Sequence, residues 1–284
     1  MALKLLAVIL VLGTLAIAPQ WARFRQWRWY ERWLSQLDGS AGLSWVLLAV
    51  VAPTLLAAFI ALALDGLWLE LLPLAFSVLV LALCLTELEP DIEAILKAPD
   101  HAARTEAARA LYIDDESASV PLDPANLAEA TVMAALRRRF GVLFWFFLLG
   151  PAGALLFRLA HRAWLVTRSQ DDADARRIAT RLAAGLDWLP AHLMVLAMAL
   201  ASNFDRVIHA WRAWHARPER SAWEFEPGFL ASIARASVEV SDDESSQDLA
   251  PDLRTLRETN LLLRRLLVVW LALAALIVLA GWAT

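Results

Sequence analysis

Cysteine is almost absent from this chain of 284 residues, the single thiol being Cys84. One thiol excludes an internal disulfide framework and a cysteine-based metal site, and its place within an apolar run marks it for packing. Tyrosine is nearly as scarce, with 2 residues against 14 tryptophans. Charged residues make up 20% and hydrophobic ones 60%, where a soluble domain averages about 25% and 45–50%. The chain also lacks a G-x-x-x-x-G-K-[ST] phosphate loop, a G-x-G-x-x-G, an H-E-x-x-H and a G-x-S-x-G. A net charge of −4 leaves no basic surplus for a nucleic-acid partner. These shortages exclude a soluble cytosolic enzyme, a disordered regulator and a secreted disulfide scaffold as readings of the whole chain.

What is plentiful is uncharged apolar sequence. The 26 residues between Asp38 and Asp65 and the 19 from Leu266 to Thr284 contain no Lys, Arg, Asp or Glu. About 20 apolar residues cross a bilayer as a helix. Six apolar segments stand out, at 5–19, 42–64, 67–86, 141–157, 186–203 and 266–283. The second and third are joined by Asp65-Gly66, so they form an antiparallel hairpin. The first imitates a signal peptide, but Pro19 after the small residues disfavours cleavage and the segment is expected to be retained.

Basic residues decide which segments span, because short loops rich in Lys and Arg stay in the cytoplasm. Four arginines lie in 20–41, six basic residues in 88–139, six in 158–181 and seven in 204–260. All of them stay inside if 5–19, 42–64, 67–86 and 266–283 span while 141–157 and 186–203 dip in and return or lie buried at the inner face. The expectation is an all-α polytopic integral membrane protein of four transmembrane helices, both termini outside, with broken or re-entrant helices and helical cytoplasmic loops. The whole chain, 1–284, reads as one membrane domain, with 87–263 on the cytoplasmic side and the acidic stretch 237–252 a mobile loop.

Two stretches carry the mixture of indole and guanidinium expected of helices lying in the headgroup layer. In the first, Trp21, Phe24, Trp27, Tyr30 and Leu34 share a face, with Trp33 close by; in the second, Phe204, Val207, Ile208, Trp211 and Trp214 repeat the spacing. Trp21, Trp27, Trp33, Trp211 and Trp214 are therefore the expected anchors. No two of the five histidines fall at i, i+4, so no metal site is expected of them. The cluster Glu87, Glu89, Asp91 and Glu93 reads as the acidic start of a solvated helix. No cofactor and no metal is expected.

The run from Phe144 to Arg158 contains Gly150-Pro151-Ala-Gly153 inside apolar sequence. Gly-Pro breaks a helix; a helix restarting after Pro151 either offers free N–H groups to an anion or is a kink that lets small residues pack.

This run, followed downstream by Asp187-Trp188-Leu-Pro190-Ala-His-Leu193, resembles the AmpE family of bacterial inner-membrane proteins, itself related to the CbiB/CobD-type adenosylcobinamide-phosphate synthases. The likeness holds in order and spacing over 125–203. Two polar elements of the synthases are replaced, by Asn126-Leu-Ala-Glu129-Ala-Thr131 before the aromatic run and by Ala160 to Ser169 after the Gly-Pro motif. Resemblance to AmpE implies a non-enzymatic regulator of β-lactamase induction tied to anhydro-muropeptide status, with a cell-wall-derived ligand or a regulatory protein as partner besides the bilayer. The matching positions, Gly150, Pro151, Gly153, Arg158, Asp187, Trp188 and Pro190, are the candidate functional residues, and Arg158 with Asp187 is an expected charge pair. An enzyme on the synthase scaffold acting on an amphipathic substrate is the alternative, and a small transporter the second.

Overall fold

A computed structural model describes residues 2–17, 27–37, 41–65, 71–112, 121–202, 204–216, 229–230, 232–234 and 251–280. Trp21, the Asp65-Gly66 turn beyond Asp65, and all of 237–252 except its last two residues lie outside the described residues. Every regular element among those described is a helix, as the composition demands. In chain order they are α1 (Ala2–Ile17), α2 (Arg28–Ser35), α3 (Gly42–Asp65), α4 (Leu71–Cys84), α5 (Glu89–Lys97), α6 (His101–Ala108), α7 (Pro124–Ala135), α8 (Gly141–Leu149), α9 (Pro151–Arg168), α10 (Ala173–Ala201), α11 (Phe204–His215) and α12 (Pro251–Leu279).

Among the described residues four helical stretches are long and apolar enough to cross a membrane: Gly42–Asp65, Leu71–Lys97, Ala173–Ala201 and Asp252–Leu279. Three coincide with expected spans. The first expected span falls on a shorter apolar helix, Ala2–Leu15, and the segment 186–203, expected to dip and return or to lie buried, belongs to a continuous helix of 29 residues.

The chain divides into two compact units. The first comprises Met1–Thr86, Arg137–Leu186 and Ala274–Thr284. Within it α8 and α9 form a tight hairpin about Gly150. Gly150 closes α8 with φ 71°, a backbone region that glycine alone enters freely, and Pro151 opens α9, where its missing N–H costs nothing. The two helices approach closely enough that a Cβ on Gly141 would enter the Phe157 ring and one on Gly153 would meet the Trp145 carbonyl. Phe140, Phe146 and Phe157 are fully buried in this packing.

Two fixed points give the hairpin its direction. At the Gly150 end the Lys4 ammonium donates to the Phe147 carbonyl at 3.1 Å, a cation placed on the negative end of α8. At the far end the Gly42 N–H donates to the Asp172 carboxylate at 2.7 Å. The same carboxylate caps the start of α10 by accepting from Asp174 and Ala175 N–H at 3.0 and 2.9 Å. With 18 residues at 1.5 Å each, α9 covers about 27 Å between these points.

The second unit comprises Glu87–Leu136 and Asp187–Leu273. Two of its helices begin with a side-chain cap. Asp100 caps α6 through the Ala103 N–H at 2.7 Å, and Asp123 caps α7 through the Asn126 N–H at 3.1 Å, with Pro124 opening the helix. Of the cluster Glu87, Glu89, Asp91 and Glu93, Glu89 and Asp91 stand in the first turn of α5, next to the positive end of the helix. Arg104 and Asp252 join α6 to α12 by a partly buried ion pair at 3.0 Å.

Candidate functional site

The seven candidate residues divide between the units: Gly150, Pro151, Gly153 and Arg158 belong to the first, and Asp187, Trp188 and Pro190 to the second.

In the first unit, Gly150, Pro151 and Gly153 build the turn and the close packing described above. The turn has little for an anion, because Pro151 has no N–H and those of Gly153 and Ala154 both go to the Gly150 carbonyl at 3.0 and 3.3 Å. Of the two readings of this motif, the geometry favours the kink.

Arg158 is placed differently. Two turns into α9, its Nη2 donates to the Thr86 hydroxyl at 2.6 Å, and the Thr86 N–H in turn donates to the Arg138 carbonyl at 3.1 Å. Arg138 lies in a π-helical turn, Leu136–Phe140, leading into α8; such wide turns recur at functional sites. One helical turn beyond Arg158, the Arg162 guanidinium stacks 4.5 Å over the Trp27 ring. Arg137 and Arg168 lie over Trp164 at 4.9 and 5.4 Å. Arg158 and Arg162 share one face of α9, whereas Trp164 and Arg168 lie on another side of the helix, so the unit holds two separate arginine–indole groups, each with a cation over a ring.

Trp27, expected at the headgroup layer, is instead only 5% exposed: helical spacing identifies the face it shares with Tyr30 but not the α9 arginine that covers it. On α2 the exposed indole is Trp29. Tyr30 is buried beside Trp27 in an edge-on contact of 6.2 Å, and its hydroxyl has no hydrogen-bond partner among the described residues. Burial pushes the phenol's pKa up, with the Arg162 charge pulling the other way.

Trp33 and Trp145 have a shared role. Pro190 lies inside α10 and has no N–H for the Leu186 carbonyl four residues earlier. That carbonyl accepts instead from the Trp145 indole at 3.0 Å, and α10 runs on through Pro190. In α3 a π-helical turn, Leu47–Val51, makes Ala52 bond to Leu47 rather than Leu48, and the next donor in that pattern would be Pro53. The released Leu48 carbonyl accepts from the Trp33 indole at 3.1 Å.

In the second unit Asp187 is buried, 1% exposed, and Trp188 stacks on His192 with centroids 4.4 Å apart. His192 lies 4.4 Å from Phe229 and 6.3 Å from His215, which in turn contacts Trp211 at 4.7 Å. Each imidazole bonds through Nδ1 to the carbonyl four residues back, Trp188 at 2.7 Å and Trp211 at 2.9 Å. A neutral ring donating through Nδ1 leaves Nε2 as an acceptor, so the second unit holds two imidazoles of the same tautomer in an aromatic setting. No group of three metal-ligating side chains occurs among the described residues. Sequence reading missed this pair, since 23 positions separate the two; Trp188/His192 and Trp211/His215 at i, i+4 were the available signal. It missed Thr86 and Arg162 as well, although Arg158 and Arg162 at i, i+4 mark one face of α9.

Over 108 residues the chain is 32% identical to a protein from Chromobacterium violaceum named cobalamin biosynthesis protein CobD, a match that takes in 36% of this chain. It spans about a third, 33%, of that curated relative's length. No family model matches the chain and no solved structure does. The match is to CobD and gives no support to the expected AmpE resemblance. It also corrects the expectation of a non-enzymatic protein, because similarity to a biosynthesis protein points to an enzyme. Among its described residues the chain is helical with four helices fit to cross a membrane, and it has a partial likeness to CobD.

Proposed function

We propose that the chain is a bacterial inner-membrane enzyme on a CobD-like scaffold that acts on an amphipathic, anionic substrate at the inner face. The observation that carries this reading is the Arg158–Thr86 contact of 2.6 Å, set in the same unit as Arg162 over Trp27 and Arg137 and Arg168 over Trp164. A planar guanidinium fork holds phosphate or carboxylate by two bonds at once, and the indoles hold the apolar part. In the topology that fits, the Thr86 and Gly42 end of the first unit faces the cytoplasm, and the α8–α9 hairpin enters from that side and returns. Purified protein in detergent is expected to gain thermal stability with ATP or GTP plus Mg²⁺, and Arg158→Gln to lose that gain. No shift under conditions in which a CobD protein responds overturns the reading.

A regulatory role in β-lactamase induction is the second reading, favoured by replacement of the synthases' polar elements. Within one of those stretches His161 is buried and its Nδ1 is engaged by the Phe157 carbonyl at 2.9 Å, so it does not replace the lost amide and carboxylate. Deletion of the gene is then expected to change β-lactamase induction, and unaltered induction together with unaltered peptidoglycan-precursor levels refutes it.

A further inference from the structure

Neither reading uses the hydroxyl of Tyr30. The Tyr30 ring is 1% exposed and packs edge-on against Trp27 at 6.2 Å and Trp29 at 5.6 Å. Its oxygen has no hydrogen-bond partner among the described residues. A buried hydroxyl left unpaired costs stability, and a ligand that supplies an acceptor removes that cost.

The indole beside it carries a second set of unused donors. The Arg162 guanidinium lies over the Trp27 ring at 4.5 Å. It is half-buried and makes no hydrogen bond or ion pair among the described residues. A cation held on a ring by its charge keeps its N–H donors for another partner. Tyr30 and Arg162 act on each other electrostatically, which makes them neighbours where α2 meets α9. The exposed Glu31 carboxylate acts on Arg162 as well, without closing an ion pair. Burial keeps the phenol protonated, so phenol and guanidinium are two donors in want of one acceptor. A guanidinium fork takes two oxygens of an anion and the phenol a third, which a phosphate has and a carboxylate lacks.

We propose that Tyr30 and Arg162 together bind one phosphate group of the amphipathic substrate, on the face of α9 that also carries Arg158. Four residues apart, the two arginines are separated by about 6 Å along the helix, close enough to meet one ligand. The assignment rests on the reading of Arg158 as part of a substrate site, and its test uses neither nucleotide nor Mg²⁺. The full chain in neutral detergent is to be titrated calorimetrically with hexyl phosphate, hexanoate and inorganic phosphate, and again in nanodiscs containing phosphatidylglycerol. Hexyl phosphate is expected to bind most tightly, hexanoate lacking the third oxygen and inorganic phosphate the apolar tail. Tyr30→Phe is expected to weaken hexyl phosphate about tenfold, and Arg162→Gln at least as much. The free Tyr30→Phe protein is expected to keep or raise its unfolding temperature, because an unpaired buried hydroxyl is gone. Unchanged affinity in either variant, a fall in the Tyr30→Phe unfolding temperature that accompanies the lost affinity, or equally tight binding of hexanoate or inorganic phosphate overturns the proposal. So does displacement of hexyl phosphate by phosphatidylglycerol, which would assign the site to a lipid headgroup. Unchanged binding in Tyr30→Phe while Arg158→Gln still loses the nucleotide response refutes this assignment alone. Hexyl phosphate bound as expected with no nucleotide response supports the assignment and refutes the nucleotide reading.

Discussion

The two units satisfy their backbone polar groups by different means. In the second, Asp100 and Asp123 cap helices in the ordinary way and Arg104 pairs with Asp252. In the first, α2 and α9 begin without a side-chain cap, as α5 of the second also does, and carbonyls released by Pro53 and Pro190 or exposed at the end of α8 are taken by Trp33, Trp145 and Lys4. Where water is scarce, a released carbonyl must find a donor within the protein, and an indole supplies one N–H on an otherwise apolar body. Asp172, which caps two helix starts at the Gly42 end, is the first unit's ordinary capping device.

The sharpest way to break this comparison is at the hairpin. Gly153→Ala drives a Cβ into the Trp145 carbonyl and is expected to destabilise by about 1–3 kcal/mol or more, whereas Gly185→Ala, with open space around its position, is expected to be neutral or to gain up to about 1 kcal/mol. Thermal unfolding in detergent separates the two.

Next in size is the indole cap. Trp145→Phe leaves the Leu186 carbonyl without a donor, at about 1–3 kcal/mol. In a Pro190→Ala background the helix supplies its own N–H, so the same substitution is expected to cost about 1 kcal/mol less. Additive losses would show that the indole bond contributes nothing.

The matching test in the second unit is milder. Asp100→Ala is expected to cost about 1 kcal/mol through loss of the α6 cap, read by chemical denaturation.

Smallest is an acid effect at Asp172. N–H groups of Ala175, Gly42 and Asp174 hold its carboxyl below the usual carboxylate range, with Arg176 adding to the shift. A carboxyl depressed in the folded state stabilises fully above its unfolded pKa of about 3.9 and loses that contribution as pH falls through the folded value. Asp172→Asn is therefore expected to flatten the fall of the unfolding temperature below about pH 4 and to leave its slope near neutrality unchanged.

These contrasts also show what sequence reading reaches. The apolar runs 42–64, 67–86 and 266–283 and the Gly150-Pro151 break are local, and so they were legible. Continuity of α10 through Pro190 was not, because the donor that rescues the Leu186 carbonyl is Trp145, 41 residues away. The Arg158–Thr86 contact joins residues 72 apart, and periodicity within α9 says which face Arg158 occupies but not what meets it. Trp27 shows the same limit from the other side: an amphipathic pattern reveals a face, and only packing decides whether that face meets lipid or protein.

The most direct test of the functional account is which side of the membrane the Gln170 end of α9 occupies. On a Cys84→Ser background, single cysteines at Gly66 and Gln170 are to be probed in intact cells with a membrane-impermeant maleimide. The account predicts labelling at position 66 and protection at 170 until the membrane is permeabilised. Labelling at 170 in intact cells would put that end of α9 outside and contradict a substrate site at the inner face.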